Sequence, residues 1–506
     1  MILAFFIIAC FVGVFFSLSK YQANAYDFDH SYFLQLSAKL FDAKSSHAIT
    51  TVPIGANMFG LGSFEGVKGF HKTLHLELMK YFQGLAYYIF QAPWAVYAFV
   101  ALVYFSPLLY LLFLFKDKDP IDKSLAVVVA FLYAFYPAAI FAVSFDLRPF
   151  VYLIPYLLLF FLSVHFRRPA VEIFFFLNLF FCAREEAFIF SFLIIAYYFL
   201  INRGQLKGTA KIGIGLAANW LAWIGIIAAF NIWAGYSFTD KSLYRFAAIK
   251  SVLLSHWLLA FIFGLFLVLL FCLFYIKIYK KDQEAYLDKF GSILVLGALS
   301  APAFLGAWKK APDPKSWIQL FYFPRYALLI PAILISGLFI FYARLRGDGS
   351  REKFIRYICL FSLLAFSFNF LPLADSPLSV YDNFSDQKNK ASFLWDLRQA
   401  TDKYHTAVLV TDYAHGPFYD YENLFFFPCS SPSDFNLERI DEPVRCYPGN
   451  EKHLIDLLQN RIEYVIIDND FSDLTTALFK EAGVKIIEKK SNGRYSWFKL
   501  NKNKSI

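Results

Sequence analysis

No two cysteines in this 506-residue chain stand at a spacing that suits a zinc site. The phosphate-binding glycine loop is missing, and so are internal repeats and low-complexity tracts. Those absences set aside zinc modules, P-loop nucleotide enzymes and repeat solenoids. Of the six cysteines, Cys10, Cys182, Cys272 and Cys359 fall in apolar runs and read as small core residues. Cys429 and Cys446 lie in the polar tail, where an oxidising compartment would let them pair.

Charge is also scarce, at 17% of residues, whereas 58% are hydrophobic and 63 are Phe. Soluble domains average about 45–50% apolar. The apolar residues are grouped. Runs fall at 1–18, 84–115, 125–145, 149–166, 170–183, 187–201, 212–235, 252–276, 292–308, 327–342 and 358–373. Several are long enough to cross a hydrocarbon layer of about 30 Å. The expected fold is therefore a polytopic α-helical membrane protein of about eleven transmembrane helices. Its membrane domain would span residues 1–373, and a small extracytoplasmic α/β domain would span 374–506. The formal net charge of +9 could suggest nucleic acid in a soluble protein. Here Lys and Arg sit in short loops between spans, so no nucleic-acid partner is expected.

The first run needs separate treatment. Ala23-Asn24-Ala25 imitates a signal-peptidase site. Residues 1–18 lack a basic leading segment and are long for a signal core, so a retained first span is expected. Cleavage before Tyr26 would leave the following loop intact.

The bias of Lys and Arg sets the orientation. Seventeen basic residues fall in one set of short loops, among them Lys116, Arg167, Arg203, Lys280 and Arg351. Nine fall in the opposite set. The richer set reads as cytoplasmic. The other face then holds residues 19–83, the turns at 144–150 and 184–186, residues 236–251 and 309–326, and the tail. In the first loop, His30 to Ala43 and Lys72 to Phe82 are amphipathic and predict two surface helices. A glycine-rich stretch joins them. In the tail, Asp396 to Lys403 and Lys452 to Asn460 look helical. Ala407–Thr411 and Tyr464–Asp468 read as strands. Ser491-Asn492-Gly493 marks a hairpin between 484–490 and 495–500.

Charges kept beside apolar spans are costly and become functional candidates. Tyr26-Asp27-Phe28-Asp29-His30 follows the first span. An Asp there can act as a general base or help hold a divalent cation. Equally, Asp29 can cap a helix starting at His30. Asp146 and Arg148 share a turn, where they can pair with each other; alternatively, Arg148 can bind phosphate through its planar fork. Arg184-Glu185-Glu186 interrupts a nearly continuous apolar run. Arg325 opens the tenth span, where it can snorkel or meet a lipid phosphate.

These segments resemble a large family of prokaryotic membrane proteins, domain of unknown function 2079. That family has an Asp and, six residues on, a Gln after its first span; Asp29 and Gln35 match. A His precedes the second span, as His75 does. Phe145-Asp146-Leu147-Arg148-Pro149 resembles its Phe-Asp-Phe-His-Pro-like turn. Arg184-Glu185-Glu186 matches its basic-acidic triplet. Ser31, Leu34 and Arg148 depart from the pattern, and the missing second Asp weakens a two-carboxylate scheme in the first loop. The resemblance covers most of residues 20–200, and more weakly Pro324-Arg325-Tyr326 and the tail.

The family resembles GT-C glycosyltransferases in layout. What this implies is a polyprenyl-phosphate-linked sugar donor drawn from the membrane lipid, and an acceptor that is not specified. Asp29 would be the base, with Asp27 the second candidate. His75, Arg148 and Arg325 would bind the donor phosphate. Asp146, Arg184, Glu185 and Glu186 would contact substrate or a metal, a divalent cation being the cofactor that carboxylates suit. A transporter or lipid-handling protein, and a non-catalytic assembly partner, are the alternatives.

Overall fold

The computed structural model describes residues 1–24, 28–41, 77–145, 147, 149–183, 187, 206–233, 330–343, 345, 347–370, 377–411, 414, 416–421, 423–426 and 451–501. The expected spans at 252–276 and 292–308, and all but Ala187 of the one at 187–201, lie outside these residues. So do Cys272, Cys429 and Cys446.

Helix α1 (Ile2–Gln22) shows how the bundle is built. Its buried residues are Ile2, Ala9, Gly13 and Ser17, whereas Leu3, Ile7, Phe11 and Phe15 face outward. Small residues inward and large apolar ones outward is the reverse of a water-soluble helix. It is the pattern expected where lipid covers the outside and small side chains let helices approach closely. The Ala9–Gly13–Ser17 face packs on α4 (Pro93–Phe115) and α6 (Pro137–Phe145). A Cβ at Gly13 would stand 2.8 Å from Val143 Cγ1, so the contact needs glycine. Ser17 Oγ donates to the carbonyls of Gly13 at 2.9 Å and Val143 at 3.3 Å. Among the described residues, α1 and α4 are long and apolar enough to cross a membrane, and Leu153–His165, Ala170–Ala183 and Ile214–Ala229 are shorter apolar helices.

Two expected spans are broken, each for a local reason. The run 84–115 becomes α3 (Met79–Phe90) and α4, because Gln91 adopts a left-handed conformation with φ 50° and Pro93 starts a new helix. The run 125–145 becomes α5 (Pro120–Phe135) and α6. Pro137 forces Tyr136 into an extended conformation, φ −61° and ψ 132°. A 3-10 turn (Pro149–Tyr152) then leads into α7 (Leu153–His165), followed by α8 (Ala170–Ala183). Helices α9 (Leu206–Trp233), α10 (Ile330–Tyr342) and α11 (Asp348–Ser367) complete the described bundle. The last expected span, 358–373, is displaced, since its helix starts ten residues earlier, at Asp348.

Contacts between helix termini sort the connections into two ends. At one end, Tyr342 OH donates to Asp122 Oδ1 at 2.7 Å, Phe115 meets Phe166 at 5.1 Å, and His165 meets Phe339 at 5.7 Å. Lys116, Lys118, Arg167 and Arg168 belong to this end. The other end gathers the close of α1, the start of α4, the turn after α6 and the close of α8.

The C-terminal region docks on that second end. Helix α12 (Pro377–Gln399) leads into a five-stranded sheet ordered β2-β1-β3-β5-β4. The strands are β1 (Ala407–Val410), β2 (Asn423–Phe426), β3 (Tyr464–Asp468), β4 (Ile486–Ser491) and β5 (Tyr495–Leu500). The first three run parallel, and β5 is antiparallel to β3 and β4. Central strands β1 and β3 are buried throughout, as parallel strands covered on both faces must be. One face packs Leu409, Val465 and Phe498 on α13 (Glu451–Asn460) and α14 (Ser472–Ala482). The other packs Val410, Ile466 and Trp497 against Leu394 and Leu397 of α12. Gly493, at φ 84°, turns the β4–β5 hairpin. Helix α12 stops at Gln399, earlier than the expected Lys403.

Candidate functional site

Helix α2 (Phe28–Lys39) lies at the docked end. Because it starts at Phe28, Asp29 sits in its first turn rather than at the cap of a helix beginning at His30. Its backbone N-terminus is a favourable place for a negative charge. His30 is buried; its ring stacks on Tyr97 of α4 with centroids 5.7 Å apart, and Nε2 lies 3.1 Å from the Tyr97 hydroxyl. Gln35, at 1% exposure, buries both amide atoms with no hydrogen-bond partner on either. Buried amides are nearly always paired, so this one calls for a water or a ligand.

Helix α3 supplies the next wall. Gly84 lets it touch α2: a Cβ there would stand 2.6 Å from Leu40 Cδ2. Glu77, Lys80 and Gln83 recur every three residues and all are buried. Burial pushes the Lys80 amine down to about 8, against the opposing pull of Glu77. Gln83 Nε2 donates to the Leu147 carbonyl and to Tyr152 OH, both at 2.9 Å, while its Oε1 has no partner. From α1, Lys20 Nζ donates to the Ser144 carbonyl at 3.1 Å. The turn after α6 is thus held at Ser144 from one helix and at Leu147 from another.

Of the residues singled out in the sequence, Asp29 is placed by its backbone in α2. Asp27, His75, Asp146, Arg148, Arg184, Glu185, Glu186 and Arg325 lie outside the described residues. For Asp146, Arg148 and the 184–186 triplet, the flanking described residues lie at one end of the bundle. Ser144 and Leu147 bracket Asp146, Leu147 and Pro149 bracket Arg148, and buried Ala183 and Ala187 bracket the triplet. Helix α8 packs against the 3-10 turn at 149–152. No cluster of three or more metal-ligating side chains occurs among the described residues.

The buried polar set of His30, Glu77, Lys80 and Gln83 was not singled out in the sequence. Its signal was present as Lys80 and Gln83 three apart within the apolar stretch Met79–Phe90. An amphipathic surface helix accounts for that spacing equally well until burial is known.

The C-terminal region adds an aromatic and ionic junction. Tyr87 OH and Tyr419 OH are 2.9 Å apart, and Trp395 Nε1 donates to the Gln22 carbonyl at 3.0 Å. Asn24 Nδ2 donates to Tyr495 OH at 3.2 Å. Beneath Tyr419, Arg398 holds Asp420 through two bonds of 2.6 and 2.9 Å and donates to the Pro417 carbonyl.

No protein-family model matches the chain, so the resemblance to domain of unknown function 2079 has no family match behind it. No curated protein matches it either. Among solved structures, ArnT from Cupriavidus metallidurans bound to undecaprenyl phosphate is similar, with a TM-score of 0.46 and 14% identity over 98% of this chain and 97% of that one. The apo form of the same protein gives a TM-score of 0.43 and 13% identity over the same shares. Likenesses at that level assign nothing to this chain.

Proposed function

We propose that the chain is an integral membrane glycosyltransferase of GT-C type. It takes its sugar from a polyprenyl-phosphate donor at the extracytoplasmic end of the bundle. The observation that carries this reading is the unpartnered, fully buried Gln35 amide one helix turn and a half beyond Asp29. An amide offers both a donor and an acceptor, which is what a sugar hydroxyl requires. The end that bears it also bears the buried Lys80, Glu77 and His30, and the C-terminal region covers it. The opposite end carries the denser Lys and Arg loops, which supports a cytoplasmic assignment for that end.

In the proposed reaction the acceptor oxygen bonds to the anomeric carbon. The bond from that carbon to the donor phosphate breaks, and its electron pair leaves with the phosphate. Asp29 takes the acceptor's proton. Arg148, Arg325 and His75 neutralise the departing phosphate, and Asp146, Arg184, Glu185 and Glu186 orient the acceptor. Clustering of buried polar groups at one end favours an enzyme over a transporter, whose charges gather near the midplane.

Sugar transfer in vesicles, with Asp29→Asn as the variant, tests the proposal. Loss of roughly 10²–10⁴-fold is expected for a general base. Asn removes the charge but keeps the shape, so thermal stability should hold within about 1 kcal/mol. Full transfer by Asp29→Asn would overturn the assignment and move the search for the base to Asp27 and Glu185.

A further inference from the structure

A groove of about 400 Å³ opens where α1, α4 and α12 meet. Leu18 and Tyr21 from α1 and Trp94 from α4 form its bundle side; Lys388, Trp395 and Asp396 from α12 form the other. Its position is the boundary between the apolar spans and the C-terminal region, since α1 ends at Gln22 and α4 begins at Pro93. Trp at that level is typical of a membrane interface.

Two features commit the groove to one occupant. The first is an apolar track leading into it. Phe11, Phe15 and Leu18 fall at i, i+4 and i+7 on α1, and both Phe rings face outward. Leu102, two turns beyond Trp94 on α4, is also outward. Cys10 Sγ lies 3.7 Å from the Ala101 carbonyl, so Phe11 and Leu102 stand at the same depth. An extended hydrocarbon chain fits along that seam. The second feature is paired charge at the head of the track. Lys388, Ser392 and Asp396 recur every four residues on α12 and so share one face of that helix. A cation and an anion along one groove match a headgroup that carries both signs. Lys388 suits the phosphate. Asp396 suits a primary ammonium that can donate hydrogen bonds, and the Trp395 ring beside it adds attraction for a cation.

We infer that this groove binds a phosphatidylethanolamine molecule of the surrounding bilayer, wedged between the bundle and α12. Phosphatidylglycerol would place its phosphate beside Lys388 but bring no ammonium to Asp396. Phosphatidylcholine would bring an ammonium without a hydrogen to donate. The inference needs the chain to span a membrane. It does not need glycosyl transfer.

The test is native mass spectrometry of the full-length, delipidated protein titrated with phosphatidylethanolamine, phosphatidylglycerol or phosphatidylcholine. One phosphatidylethanolamine should be retained in preference to the other two. Lys388→Glu and Asp396→Lys should each reduce that retention about two- to fivefold, the range of an exposed ion pair. Ser392→Trp, which fills the groove, should abolish it, whereas Lys353→Glu at the opposite end should change nothing. Equal retention of the three lipids by the unaltered protein would overturn the inference, whether or not the variants fold. So would undiminished retention by folded Lys388→Glu, Asp396→Lys and Ser392→Trp.

Discussion

The hydroxyls of Tyr87 and Tyr419 lie 2.9 Å apart, one from the helical bundle and one from the C-terminal region. Tyr419 is set for that contact by Arg398, whose guanidinium stands 5.5 Å from its ring centroid while gripping Asp420. The junction therefore depends on an ion pair whose side chains are 23% and 8% exposed.

Removing one member of such a pair strands the other. Arg398→Ala should cost about 3–5 kcal/mol and loosen the junction. Thermal unfolding of the detergent-solubilised protein, with limited proteolysis of the C-terminal region, would measure it. Replacing both partners, Arg398→Met with Asp420→Leu, should cost less than the single change. A double variant weaker than Arg398→Ala would contradict this account.

Gly13 should tolerate no larger residue. Gly13→Leu forces a side chain into Val143 and should destabilise the bundle by about 1–3 kcal/mol. Phe11→Leu, on the outward face of the same helix, should be nearly neutral. The comparison is read in melting temperature, and equal effects at the two positions would mean that α1 is not packed through its small-residue face.

Gln35→Leu separates two uses of a buried amide. An amide without partners destabilises the fold, so an apolar residue of similar size should leave stability unchanged or raise it by about 1–3 kcal/mol. The same change should raise KM for the sugar-bearing substrate tenfold or more in the vesicle assay. Unaltered kinetics would remove Gln35 from the site.

Lys80 links stability to pH. Its amine titrates at about 8 in the fold, against 10.5 for a free lysine. Between those values the unfolded chain binds a proton that the fold does not. Stability should therefore rise from pH 8 to about 10.5, by roughly 3 kcal/mol in all, and the penalty is complete below pH 8. Lys80→Met should flatten that slope. Parallel melting curves for the two proteins between pH 8 and 10 would refute it.

Much of the helical order could be read from apolar run length. Helix α8 falls at 170–183 as expected, because arginines and a proline bound it on one side and the charged triplet on the other. The strands at 407–410 and 464–468 centre on the aliphatic runs Ala-Val-Leu-Val and Val-Ile-Ile, and Asn492-Gly493 announces its own hairpin. Strand β2, Asn423–Phe426, was not visible: its Leu-Phe-Phe core is short and has no alternation. Helix α14 was missed because Ser472–Ala482 is mostly polar and buries only a narrow stripe. The breaks at Gln91 and Tyr136 were hidden by hydropathy, which does not register backbone angle. Toward the candidate site, charges advertise themselves in an apolar sequence, and that is what singles out Asp29, whose backbone falls in α2. Gln35 entered only through a family resemblance. Lys80 and Gln83 gave no sign of burial, since the same spacing would serve a helix on the surface.

The hydrogen bond from Asn24 to Tyr495 joins residues 471 apart, close to the first and the last described parts of the chain. A ribosome adding about 5–20 residues per second needs roughly 25–95 s to make the second partner after the first. Throughout that interval the end of the bundle that carries α2 has no cover from β5. Closure of that end thus waits on β5, and a chain that stops before Tyr495 would keep its bundle and lose the strand that seals it.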